Sequence, residues 1–139
     1  MLNYLGYAMV EMQINLDEAL EMIEQAVASS PDSGYIVDSL GWVLYRLGRY
    51  DEAVEHMERA VELMPVDPVV NDHLGDVYWA VGRVREAEFQ WMRALSFVDE
   101  EDPGDAEPER IRRKLDVGLS VVLKEEGADP LQVADDSNE

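Results

Sequence analysis

The sequence predicts an all-α, right-handed solenoid of three helix-turn-helix repeats closed by a C-terminal capping helix. Three observations lead there. A period of 34 residues runs through most of the chain. Within each half-period, apolar residues recur at helical spacing. Glycine and proline stand where such helices would end. No stretch alternates apolar and polar residues between turn signals, as a strand would.

The period is direct to read. Asp38-Ser39-Leu40-Gly41 aligns with Asp72-His73-Leu74-Gly75 at an offset of 34. The same offset pairs Leu44 with Tyr78, Tyr45 with Trp79, Gly48 with Gly82, Ala53 with Ala87, Met57 with Trp91 and Ala60 with Ala94. Upstream, Glu18-Ala19-Leu20 matches Glu52-Ala53-Val54, and Ile23, Ala26 and Pro31 match Met57, Ala60 and Pro65. The first half of that copy is one residue out of step. The extra residue falls in the turn from Gln13 to Leu16, which lacks the glycine of the other repeats but holds Asn15, a residue that tolerates a left-handed backbone better than most. The repeats then cover about 1–31, 34–67 and 68–98.

Each repeat reads as two helices. In repeat 2, Val37, Leu40, Gly41, Leu44 and Leu47 share one helical face, and Ala53, Met57, Ala60, Val61 and Met64 share another. Gly48 ends the first helix and Pro65 stops the second. Glycine inside a helix costs about 1 kcal/mol relative to alanine. Its recurrence at Gly41 and Gly75, facing Ala53 and Ala87, predicts that two backbones approach closely there. Ala60 and Ala94 are placed against the next unit.

Beyond the repeats the character changes. Residues 99–108 form an acidic linker, and residues 109–126 form the capping helix. Ile111, Leu115, Gly118, Leu119 and Val122 make its apolar stripe. Arg110, Arg112, Arg113 and Lys114 are assigned to its other face, where they are expected to meet the linker acids. Residues 127–139 are polar and acidic and are expected to be disordered.

Composition excludes several functions. The 139 residues hold 31 Asp and Glu against 11 Lys and Arg, a net charge of -20, and no cysteine. Such a surface repels phosphate, so nucleic acid is not an expected partner. Thiol catalysis, disulfides and Fe–S clusters are ruled out. Yet 47% of residues are hydrophobic, too many for a disordered acidic chain. No apolar run approaches the ~20 residues of a membrane helix, and the start lacks the basic and apolar regions of a signal peptide. Membrane insertion is not expected. A cytoplasmic location is, or a periplasmic one for an N-terminally truncated piece. His56 and His73 lie 17 apart without metal-ligand spacing, and neither a phosphate loop nor a nucleophile elbow occurs. Hence no catalytic residue, metal or cofactor is assigned, and the chain is not read as an enzyme.

The 34-residue period, with Leu-Gly early in each unit, alanines at Ala53 and Ala60 and proline at Pro65, resembles the tetratricopeptide repeat. The stretch also resembles the C-terminal part of longer bacterial proteins of that family. Val37 and Asn71 depart from the family's Trp or Leu, and Asp99 closes repeat 3 where proline is usual. The resemblance implies a curved array whose first helices line a concave groove. It places Tyr35, Asp38, Ser39, Trp42, Tyr45 and Arg46 inward in repeat 2. In repeat 3 it places Val69, Asp72, His73, Asp76, Trp79 and Ala80 inward, and in repeat 1 Asn3, Tyr7 and Val10. From these, Tyr7, Tyr35, Asp38, Trp42, Tyr45, Asp72, Asp76 and Trp79 form the expected partner-binding set. Aromatic residues anchor partner peptides, and the acids favour a basic group. Trp42 and Trp79 are equally suited to packing between units. Some family members clamp the C-terminal carboxylate of chaperones with Lys, Asn and Arg. Here the corresponding places hold Asn3 and Tyr7, Ser39, and Val69 and His73, so that clamp is absent.

The expected function is a protein–protein interaction scaffold or adaptor that holds an apolar segment carrying basic residues. The alternative is a structural or self-association module of a larger repeat protein, with no ligand of its own. Its contact would be the N-terminal edge formed by Leu2, Leu5, Met9, Met12 and the apolar edge of the helix at 17–29.

Overall fold

The computed structural model describes residues 15–132. Every regular element among them is helical: α1 (Leu16–Ser29), α2 (Gly34–Arg46), α3 (Tyr50–Leu63), α4 (Pro68–Ala80), α5 (Val84–Phe97), α6 (Pro108–Val117) and α7 (Leu119–Glu125). Each helix packs on the next in sequence, and α2 also touches α4. The result is a stack of antiparallel pairs, α2 with α3 and α4 with α5, whose first helices lie side by side. The first helix expected in repeat 1 lies outside the described residues.

The turns follow from local chemistry. Gly48 and Gly82 adopt φ of 81° and 84°, a left-handed backbone that side chains disfavour. This lets the Arg49 amide donate back to the Leu44 carbonyl at 2.9 Å, and the Arg83 amide to Tyr78 at 2.9 Å, which closes the first helix of each pair. Asn15 holds the left-handed conformation in repeat 1, with φ of 48°, and its side chain caps α1 by accepting from the Glu18 amide at 3.1 Å. Asp67 caps α4 in the same way through Val70, with Pro68 in the first turn.

The core runs along the axis of the stack. Ala19, Ile23, Leu44, Ala53 and Met57 fill its first part, and Leu74, Val77, Ala87, Trp91 and Ala94 its second. Ala60 is fully buried between Val37 of α2 and Val70 of α4, so it joins one repeat to the next. The glycines do bring helices together, but their immediate neighbours are larger than alanine. A Cβ at Gly41 would collide with the Met57 side chain, and one at Gly75 with the Trp91 ring. The small residue on one helix makes room for the large one on its partner.

The end of the array differs from a single capping helix. Gly118 has φ of 88° and ψ of 155° and separates α6 from α7. A side chain there would meet the Trp79 ring, 2.5 Å away. Arg110 pairs with Glu126 at 2.6 Å and Arg113 with Glu125 at 2.6 Å. In one unbroken helix, 16 residues would hold Arg110 and Glu126 about 24 Å apart. So α7 folds back along α6 as a hairpin. Residues 128–132 continue as irregular chain. Leu131 packs at the edge of the core, and the Gln132 amide donates to the Tyr50 hydroxyl at 2.7 Å. These residues were expected to be part of a disordered tail. One leucine and one backbone donor hold them in place, and the composition of the segment conceals both.

Gly41→Leu is expected to lower stability by about 1–3 kcal/mol or more, because Met57 has no room to yield. Ala53→Phe, at a fully buried position, is expected to act similarly. Urea titration followed by circular dichroism reads both; midpoints equal to wild type would contradict this account of the packing.

Candidate functional site

The inner faces of α2 and α4 form the site. His73 of α4 meets Asp38 of α2, with Nδ1 3.0 Å and 3.2 Å from the two carboxylate oxygens. Trp42 lies one helical turn beyond Asp38. Its ring stacks on His73, with centroids 4.0 Å apart and planes 17° apart, and on Tyr45 at 4.5 Å and 18°. Burial pulls the His73 pKa down, but Asp38, with help from Asp72 and Asp76, raises it to about 9. The imidazole is therefore a cation at neutral pH, stacked on the indole face, an arrangement the ring quadrupole favours.

Asp72 and Asp76 stand four apart on α4 and point the same way. Between them lies Lys114 of α6, only 1% exposed. Its Nζ donates to Asp72 at 2.5 Å and to Asp76 at 2.7 Å, and it lies 5.2 Å from the centre of the Trp91 ring. Asp76 also accepts from Trp91 Nε1 at 3.0 Å. Burial opposes the charge of Lys114, yet Asp76 and Asp72 hold its pKa above the ordinary lysine value. A buried ammonium is tolerated when carboxylates satisfy its donors in this way.

The expected binding residues thus separate. Asp38, Trp42 and Tyr45 join His73 in one cluster, and Asp72 and Asp76 join Lys114 in another. Trp79 packs against Gly118, with its Nε1 donating to Ser120 at 3.1 Å. Tyr45 is buried. Tyr35 stands apart at the start of α2, 60% exposed, and donates to Asp67. Tyr7 lies outside the described residues. Lys114 does not sit on the polar face to which the sequence assigned it. It stands three residues after Ile111 and four before Gly118, the same side as the apolar stripe, and that spacing was the available signal. Of the remaining basic residues, only Arg112 meets the linker, at Glu100; Arg110 and Arg113 bond to α7 and to the chain just beyond it.

Two cavities border Trp42 on the inner face. One of about 450 Å³ lies between Trp42, Arg46, Asp72, His73, Asp76 and Arg110. The other, about 260 Å³, lies between Trp42, Tyr45, Arg46 and Tyr50 on one side and residues 128–132 on the other. Trp42 borders both, and its Nε1 is buried without an acceptor. Among the described residues, His, Asp and Glu nowhere gather in threes with geometry to hold a metal ion. No described helix is long and apolar enough to cross a membrane.

Paired helices with small residues at the crossings, glycine turns and a shared inner face define a helical-repeat protein. Residues 13–68 match the model of the tetratricopeptide repeat family, and the array is an all-α solenoid of the same kind as the solved structures below. A TPR repeat-containing protein of Pseudomonas aeruginosa is 42% identical over 48 residues, which is 34% of this chain and 8% of that protein. The chain thus spans less than a tenth of the curated relative it matches. The type III secretion translocator chaperone SycD of Yersinia enterocolitica superposes with a TM-score of 0.75 at 17% identity, over 90% of this chain and 83% of its own. PcrH, solved in complex with the chaperone binding region of PopD, gives 0.73 at 17% identity, over 90% of each chain. At such identity the likeness is one of fold.

Lys114→Met leaves Asp72 and Asp76 without their cation and is expected to cost about 3–5 kcal/mol in chemical denaturation. Adding Asp72→Asn and Asp76→Asn is expected to recover part of that loss. The His73 pKa rises on folding from 6.5 to about 9. Its contribution is therefore complete below pH 6.5 and is lost as pH rises through 9. The melting temperature is expected to fall over that window in wild type and to fall less in His73→Gln; parallel profiles would refute the pairing with Asp38.

Proposed function

We propose that this chain is a protein-interaction module that holds a segment of another protein on the inner face of α2 and α4. One observation carries this reading. The inner face keeps open cavities beside Trp42, whose buried Nε1 has no acceptor, and a carbonyl or carboxylate from a partner would satisfy it. The fold supports the reading, since PcrH, which shares it, was solved with a segment of PopD. Trp42 and Arg46 are the natural contacts. Tyr45 and Trp79 serve packing instead.

A preference for basic partners rested on Asp38, Asp72 and Asp76 standing open. His73 and Lys114 already supply positive charge to all three. The same satisfaction favours a second reading, a structural module with no ligand of its own.

Photo-crosslinking separates the two. A photoreactive amino acid replacing Val69 on the inner face is expected to capture a partner protein in the native host. The same group replacing exposed Glu88 of α5 is expected to capture none. Capture that is equal at both positions, or absent at Val69, would reject the inner face as the binding surface.

A further inference from the structure

We infer that residues 126–132 are a displaceable strap over the inner-face pocket, and that the partner is an extended segment of like chemistry, apolar with a carboxylate. The proposal rests on the interaction reading above and specifies the partner for that same site.

The strap is seated as a bound peptide would be. After α7 it runs as irregular chain past the open end of α2. Glu126 bonds to Arg110 at 2.6 Å and 3.1 Å. Leu131 reaches the core edge, the Gln132 amide donates to Tyr50, and the Gln132 side chain lies over Gly48, where a Cβ would collide with it. Every other residue of the segment is exposed. Beneath it the cavity of about 260 Å³ stays unfilled. A segment that belonged to the core would have closed that space, because interiors pack at crystal-like density.

What lies beneath selects the chemistry. Asp72 and Asp76 are matched by Lys114, so they ask nothing of a ligand. Arg46, Arg110 and Trp42 line the cavities, and the two guanidinium groups can donate to an anion or a carbonyl; Arg110 already does so to Glu126, while Asp105 and Glu107 line the far side of the larger cavity. The strap supplies Glu126 to Arg110 and Leu131 to the apolar edge. A partner that offers an acid and a leucine at like spacing repeats both contacts and can add an acceptor to Trp42. The tether gives the strap an effective concentration near the millimolar range, so even weak contacts keep it seated. A competing segment then binds more weakly in inverse proportion to the open fraction, roughly tenfold to a hundredfold.

The probe is a fluorescent peptide with the sequence of residues 126–132, titrated into the full chain and followed by anisotropy. Leu131→Asp in the protein removes the anchor of the strap. The peptide is expected to bind that variant at least tenfold more tightly than wild type, and Arg46→Glu added to it is expected to abolish the gain. Should Leu131→Asp fail to fold by circular dichroism, Tyr50→Phe removes only the acceptor of the Gln132 amide and is expected to gain about threefold. Equal binding to wild type and the folded variant, or binding to neither, overturns the strap. The two readings fail separately: crosslinks from position 69 without any peptide effect would leave the interaction module standing and reject the strap. A peptide effect without crosslinks would leave the strap as a displaceable contact within the chain and reject the partner.

Discussion

The buried ammonium of Lys114 between Asp72 and Asp76 is the contact on which the C-terminal half depends. A solenoid is held together mainly by neighbours, each repeat touching the next. Lys114 adds a bond of another kind, tying α6 directly to the inner face of α4 across 38 and 42 residues of sequence. Once it is made, the orientation of α6 is fixed. Ile111 and Leu119 are then carried into the core, and Gly118 arrives at Trp79. The charges that looked like an invitation to a partner are thereby used within the chain.

The second pair, His73 and Asp38, works by the same logic between α2 and α4. Both pairs place a cation from one element against an acid of another, inside a chain whose formal charge is -20. A strongly acidic protein repels itself when compact. Placing these two cations at buried crossings, where the local dielectric is lowest, gives each of them a large effect. The exposed pairs, such as Arg49 with Glu52 and Arg83 with Glu86, are ordinary surface contacts of small worth.

The repeat architecture was legible because its signals are periodic. An offset that aligns Gly41 with Gly75 and Met57 with Trp91 survives any local ambiguity. The left-handed turn at Asn15 could be read for a related reason, since it stands one residue past the place of Gly48 and Gly82 and is a residue that tolerates that backbone. What could not be read was tertiary. Trp42 is as good a groove residue as a packing residue in the sequence, and nothing there announces the ring of His73 stacked against it. Lys114 was assigned by its charge when its position, between Ile111 and Gly118, told more. Gly118 looked like one more small residue in a stripe. Only the ring of Trp79 explains why the helix must break there. Residues 128–132 have the composition of a tail, and composition carries no information about a single leucine that finds a pocket.

The bond between the Gln132 amide and Tyr50 joins residues 82 apart in the chain, far beyond the spacing of contacts within a repeat. Closing a loop of that length costs entropy that local helix pairs never incur. Chains rich in local contacts fold fast, and distant ones slow them. The helix pairs can therefore form on their own timescale, with the α6–α7 hairpin docking afterwards and the strap settling last. Held by one leucine and one backbone donor, the strap proposed above is expected to open first, uncovering its surface while the rest of the solenoid stays intact.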